Sequence, residues 1–214
     1  MKHKIVLMVS GLLLAGTLVF SYQGNIIQKI KSEIYQTSIT KPITICLQPF
    51  NGFPNSSTEL VAKEIKKHYP HVTILKPIPL PQSAYYAPRN RYRADRLIAF
   101  LSKQTQLGQH TIGLTTKDIS TTHRGQEDWG VMGLGYKPGN ACVVSTFRLK
   151  GNNKLEKLYK LSFHEIGHTL GIPHCPEPTC FMRDAEGKDH FNEETGFCKS
   201  CKRAMQNAGW TLNK

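Results

Sequence analysis

Short β-branched runs alternate along the chain with longer segments whose apolar residues recur at helical intervals. Ile43, Ile45 and Leu47 with Thr44 and Cys46 between them predict a strand over residues 43–47. Leu60, Val61 and Ile65 then repeat with helical spacing behind Ser56 and Glu59, which read as a capping box, and Pro70 closes that helix. Residues 72–75 are a second strand. Pro77, Pro79, Pro81 and Pro88 predict a long irregular loop, followed by a helix over residues 93–103. Residues 110–115 are a third strand. Residues 131–134 and 141–146 flank a Gly-Tyr-Lys-Pro-Gly-Asn turn and predict a hairpin.

The longest helical pattern follows, over residues 154–170, with Leu155, Leu158, Leu161, Phe163 and Ile166 as its apolar positions. Gly171 stands where such a helix can stop, and Gly167 inside it counts as a small cost. Beyond Gly171 the chain turns to Cys, Pro and Gly, with a short final helix expected over residues 202–207. This order predicts an α/β fold, an α+β mixed sheet, ending in a Cys-rich segment with little core of its own.

One stretch departs from that pattern. Lys2, His3 and Lys4 precede an uncharged apolar run from Ile5 to Phe20, which reads as a signal peptide or a membrane anchor. The expected organisation is therefore 1–21 signal peptide or N-terminal anchor, 22–41 stem or linker, and 42–214 one folded domain. An exported or membrane-anchored protein follows from that reading. Of the formal charge of +13, all but the +2 of Lys2 and Lys4 belongs to the remainder, which carries +11. The lysines and arginines are dispersed and are not interleaved with aromatics, so no nucleic acid is expected as a partner.

The long helix carries the chemistry. His164-Glu165-Ile166-Gly167-His168 places two imidazoles four residues apart on one helical face, where both reach a single ion. Gly171 lets the backbone turn off the helix, and His174 can return as a third ligand. Three protein ligands leave a zinc ion one open position, and Glu165 is then placed to act as general base toward water there. Each histidine alone would pass as a satisfied core residue. The combined spacing would not.

Cys175, Cys180, Cys198 and Cys201 form two close pairs separated by a loop, the spacing of a four-thiolate structural zinc. Disulfides are the alternative, admissible because an exported chain meets oxidising conditions. The two-residue spacer in Cys198-Lys-Ser-Cys201 suits metal ligation better than a bridge. Cys46 and Cys142 lie in β-branched strands, read as small buried hydrophobes and are assigned no role.

Read from His164 through His174 and Cys175 to Cys180-Phe181-Met182 and Cys198-x-x-Cys201, the sequence resembles the archaemetzincins, a branch of the metzincin metallopeptidases. Residues 113–118 and 143–149 resemble that family's strand segments as well. The resemblance implies a metzincin-like peptidase domain with two Zn2+ per chain, one catalytic on His164, His168 and His174 and one structural on the four cysteines. It implies a peptide or protein substrate, and a platform role for Met182 in the turn beneath the metal. Tyr136 and His190 are further candidates to assist. Two competing functions stay open: a zinc amidase of another substrate class, and a zinc-stabilised binding module for anionic lipid or nucleic acid.

Overall fold

The computed structural model describes Ile26, Gln28, Lys29, residues 42–185 and residues 188–210. The apolar run and most of the stem lie outside the described residues. Among the described residues no helix is long and apolar enough to cross a membrane.

From Pro42 onward the chain forms one compact unit around two sheets. The first has five strands: β1 (Thr44–Pro49), β2 (Val72–Ile74), β5 (Gln109–Thr115), β8 (Gly133–Gly135) and β9 (Ala141–Ser145). Their order is β2-β1-β5-β9-β8. β2, β1, β5 and β9 are parallel, and only the outer β8 runs antiparallel, against β9. The two-residue side-chain period sorts this sheet into two apolar faces. Ile45, Leu47, Ile112, Leu114, Cys142 and Val144 pack with α1 (Asn55–His68) and α3 (Lys154–Thr169). Phe50, Ala141 and Val143 pack with α2 (Ala94–Ser102) through Leu97, Ile98 and Leu101. Gly113 is needed in β5 because a Cβ there would stand 2.6 Å from Leu101 Cδ1.

The capping box is not made. The cap residue of α1 is Pro54, with extended backbone and no side-chain cap bond, and Thr58 N–H opens the ladder to Pro54 O at 3.1 Å. Ser56 therefore lies within the first turn, its hydroxyl past the position from which it would cap.

The second sheet was not foreseen. It has four strands, in the order β3 (Tyr85–Tyr86), β4 (Arg91–Arg93), β6 (Ile119–His123), β7 (Gln126–Val131). The proline-rich loop thus contributes two short strands, and Val131 ends β7 where a hairpin strand was expected to start. Charge holds part of this sheet. Arg91 lies 3.1 Å from Asp118 and 3.3 Å from Asp128, and Arg148 makes two bonds to Asp118 at 2.7 and 3.0 Å. Gly130 leaves the space that the Arg148 guanidinium fills against β7.

The C-terminal segment also has more core than its composition predicts. Phe181, Phe191, Phe197, Met205 and Trp210 are all buried with the main cluster. Phe163 of α3 stacks on Phe181 at 5.2 Å, and Phe197 meets both edge-on at 5.4 and 5.2 Å. Aromatic pairs of this kind contribute about 0.5–1.5 kcal/mol each beyond their buried area. The final helix, α4 (Lys199–Asn207), begins directly after Cys198 and places Cys201 and Met205 inward.

Candidate active site

The site is built at the C-terminal end of α3 and the turn beyond it. Gly171 N–H donates to His168 O at 2.9 Å and Ile172 N–H to Gly167 O at 3.1 Å, the paired bonds that terminate a helix around a left-handed residue. Gly171 has φ +83°, so this reversal belongs to glycine. It returns the chain so that His174 faces the two helical histidines.

All three imidazoles meet. His168 Nε2 lies 3.1 Å from His164 Nε2 and 3.2 Å from His174 Nε2. The opposite ring nitrogen of each has an acceptor. His164 Nδ1 is 2.8 Å from Phe181 O, His168 Nδ1 is 2.9 Å from Ile172 O, and His174 Nδ1 is 2.9 Å from Asp184 Oδ2. These acceptors put a proton on Nδ1 in every ring, and in the neutral form the three Nε2 atoms then present lone pairs to one another. Such contacts are not hydrogen bonds. Lone pairs at that spacing repel unless a cation stands among them, and neutral imidazoles are the form that ligates. Burial, with the neighbouring His168, pushes His164 down to about 3, and burial lowers His168 too, so both stay neutral. The donor set fits a divalent metal.

Glu165 faces the edge strand β8, which also passes His168. Its carboxyl is buried and held up to about 8 by loss of hydration, against the opposing hydrogen bond from Gly135 N–H. Strand β8 can lie this close because it carries no side chains at two positions. A Cβ at Gly133 would stand 2.5 Å from Glu165 Oε1, and one at Gly135 would stand 2.6 Å from Glu165 O. The hairpin turn is pinned as well, through Gly139 N–H to Thr169 O at 3.0 Å.

Against α3 at Gly167 lies Met182, fully buried. Its Sδ and Cε occupy the space that a side chain at Gly167 would need. Gly167, read from sequence as a small helical cost, is a close-approach position.

The second cluster is adjacent. The Sγ atoms of Cys175, Cys180, Cys198 and Cys201 all lie within 4.8 Å of one another, and none is in a disulfide. Met182 N–H and Cys198 N–H donate to Cys180 Sγ at 3.5 and 3.4 Å, the arrangement of a ligating thiolate. Burial alone would raise the Cys198 thiol, yet Ser200, the Cys201 N–H and Cys175 draw it down to about 6. These sulfurs fit a tetrahedral zinc. Cys46 and Cys142 are buried elsewhere, Cys142 close enough to Glu165 for that carboxylate to help burial raise its thiol.

A model of peptidase family M54 matches residues 54–207. The chain belongs to that family, the archaemetzincins. It is a zinc-dependent metallopeptidase. An archaemetzincin of Natronomonas pharaonis is 32% identical over 147 residues, which cover 63% of this chain and 82% of that one. The crystal structure of archaemetzincin from Methanopyrus kandleri superposes with a TM-score of 0.68 at 27% identity, covering 78% of this chain and 95% of that one. That of Archaeoglobus fulgidus, complexed with malonate, gives 0.62 at 25% identity over 76% and 99%.

Of the other residues singled out from sequence, Tyr136 follows β8 and is half exposed, near enough to Asp95 and Arg93 to feel their charges. His190 faces Glu193, its Nδ1 3.3 Å from Oε1. Sequence reading missed Gly133, Gly135 and Asp184. The two glycines leave one signal, a Gly-x-Gly inside a strand, which marks a close backbone approach. Asp184 leaves none, being one more acidic residue in a polar loop.

Proposed function

We propose that His164, His168 and His174 hold the catalytic zinc of this archaemetzincin, that Glu165 is its general base, and that the four cysteines hold a second, structural zinc. The observation carrying this reading is the convergence of three Nε2 atoms, each on a ring whose Nδ1 has an acceptor. When bound, zinc supplies Lewis acidity toward water and the scissile carbonyl.

The chain's own residues do the rest. Glu165, buried and with raised proton affinity, takes the proton of the attacking water and delivers it to the departing amine. Gly135 N–H fixes the carboxylate during both transfers. Were a cation held by the neighbouring imidazoles, its charge would favour the ionised carboxylate of Glu165, the form that accepts a proton. Strand β8, outermost in its sheet, offers a backbone edge along which an extended peptide pairs and is held across the site.

The test is a peptide library incubated with the untreated protein, with chelated protein and with Glu165→Gln. Cleavage is expected in the first alone. Equal turnover by Glu165→Gln would remove Glu165 from the mechanism. The run from Ile5 to Phe20 supports a site of action beyond a membrane, the segment acting as signal or anchor. Cell fractionation that leaves the full-length chain wholly in the soluble cytosolic fraction would overturn that placement.

A further inference from the structure

The three histidines are not held alike. His164 and His168 project from α3, a rigid element, and their Nδ1 atoms meet main-chain carbonyls. His174 lies beyond the helix, on the turn after Gly171, and its side chain is 45% exposed. Its Nδ1 faces a carboxylate instead, Asp184 Oδ2 at 2.9 Å. The ligand with the most freedom to lose thus has the strongest acceptor behind it, since a hydrogen bond to an ionised group is roughly twice as strong as a neutral one.

Asp184 is itself held in place. Cys175 N–H donates to Met182 O at 2.7 Å, setting the segment after Met182 alongside the segment after His174. Arg183 N–H donates to Cys180 O at 2.9 Å, and the Arg183 guanidinium reaches Glu193 at 2.6 Å and Pro178 O at 3.2 Å. Asp184 therefore leaves a fixed backbone directed at the His174 ring.

From this geometry we propose that Asp184 is the positioning residue of the third ligand: it accepts the Nδ1 proton of His174, fixes its tautomer and ring orientation, and so governs how tightly the histidine site retains zinc. The inference rests on the three-histidine reading above. Partners behind a ligating histidine change metal affinity by about 10- to 100-fold when removed. Asp184→Ala is expected to weaken zinc at the histidine site by that factor and to leave the cysteine site unchanged. Asp184→Asn, which keeps an oxygen acceptor without the charge, is expected to recover part of the loss.

The experiment measures both zinc affinities of the full-length chain by competition with a chelating chromophore, for the unmodified protein, the two Asp184 variants and His168→Ala, with circular dichroism to check the fold. The expected result is selective loss at the histidine site, graded from Asn to Ala. The proposal is overturned if Asp184→Ala holds zinc as tightly as the unmodified protein while His168→Ala has lost it. It is also overturned if both sites weaken equally and Asn restores nothing, which is the mark of a purely structural loop residue. Unchanged zinc in His168→Ala would overturn the three-histidine reading itself, and the proposal with it.

Discussion

A Cβ on Gly167 would overlap Sδ of Met182 and stand 2.9 Å from its Cε, so the turn carrying Met182 reaches its position only because α3 carries no side chain there. The contact sets the height of the Met182 turn. Phe181 O, which accepts from His164 Nδ1, precedes Met182 in the same turn.

Gly167→Ala is therefore expected to destabilise the protein by about 1–3 kcal/mol, the usual cost of overpacking a filled core, although alanine favours helix. Met182→Ala alone leaves a cavity. Combined, the two changes should be less harmful than their sum, because the new methyl occupies part of the space the methionine vacates. Urea unfolding of both single variants and the double variant checks this. Strict additivity would show that the two side chains do not compete for one space.

Gly133→Ala should act on catalysis rather than on metal binding. Its methyl would stand 2.5 Å from Oε1, 2.7 Å from Cγ and 2.9 Å from Cδ of Glu165, so the carboxylate must move. A displacement near 1 Å at a reacting group costs on the order of 100-fold in rate. The expected result is kcat reduced by about that factor with zinc content unchanged. Loss of zinc with kcat per bound metal preserved would contradict the argument.

How far the sequence led can be judged from these residues. His164, His168 and His174 were legible because the period of a helix and one glycine turn suffice to bring them together. The five-stranded sheet was legible through β-branched runs such as residues 110–115. The four-stranded sheet was not, because β7 opens with Gln126, Glu127 and Asp128, and part of its hold comes from Arg91 and Arg148 on Asp118 in place of an apolar stripe. Neither the Gly133–Glu165 nor the Asp184–His174 contact follows from spacing, since the first joins a strand to a helix across β9 and the second joins two points of an irregular segment with no period to read.

His110 offers a prediction about pH. Its Nδ1 is 2.7 Å from Thr169 Oγ1, and that hydroxyl spends its proton on Ile166 O at 2.7 Å, so His110 Nδ1–H is the donor. Burial lowers it to about 4. Above the unfolded value near 6.5 the group has no effect on stability. Below it the unfolded chain takes up a proton that the folded one refuses, so stability falls from pH 6.5 down to about 4, by at most about 3 kcal/mol. His110→Gln should therefore flatten the decline of unfolding free energy across that window, although His164 and His68 contribute in the same direction. An unchanged slope in the variant would exclude His110 as a contributor.

The histidine and cysteine clusters share a short piece of chain, and the last prediction concerns what passes through it. Cys175 follows His174 directly, its N–H bonds Met182 O at 2.7 Å, and its Sγ lies 3.6 Å from Cys198 Sγ. Cys198→Ser removes one ligand from the cysteine cluster and with it the tie between this turn and α4. The aromatic packing of Phe163, Phe181 and Phe197 remains, so the segment should stay folded while His174 gains freedom. The expected outcome is loss of the structural zinc, weaker zinc at the histidine site, and activity that excess zinc restores in part. Metal analysis beside a zinc titration of activity decides it. A variant with one zinc, unaltered affinity at the histidines and full activity would show that the four thiolates stabilise the tail without touching the third ligand.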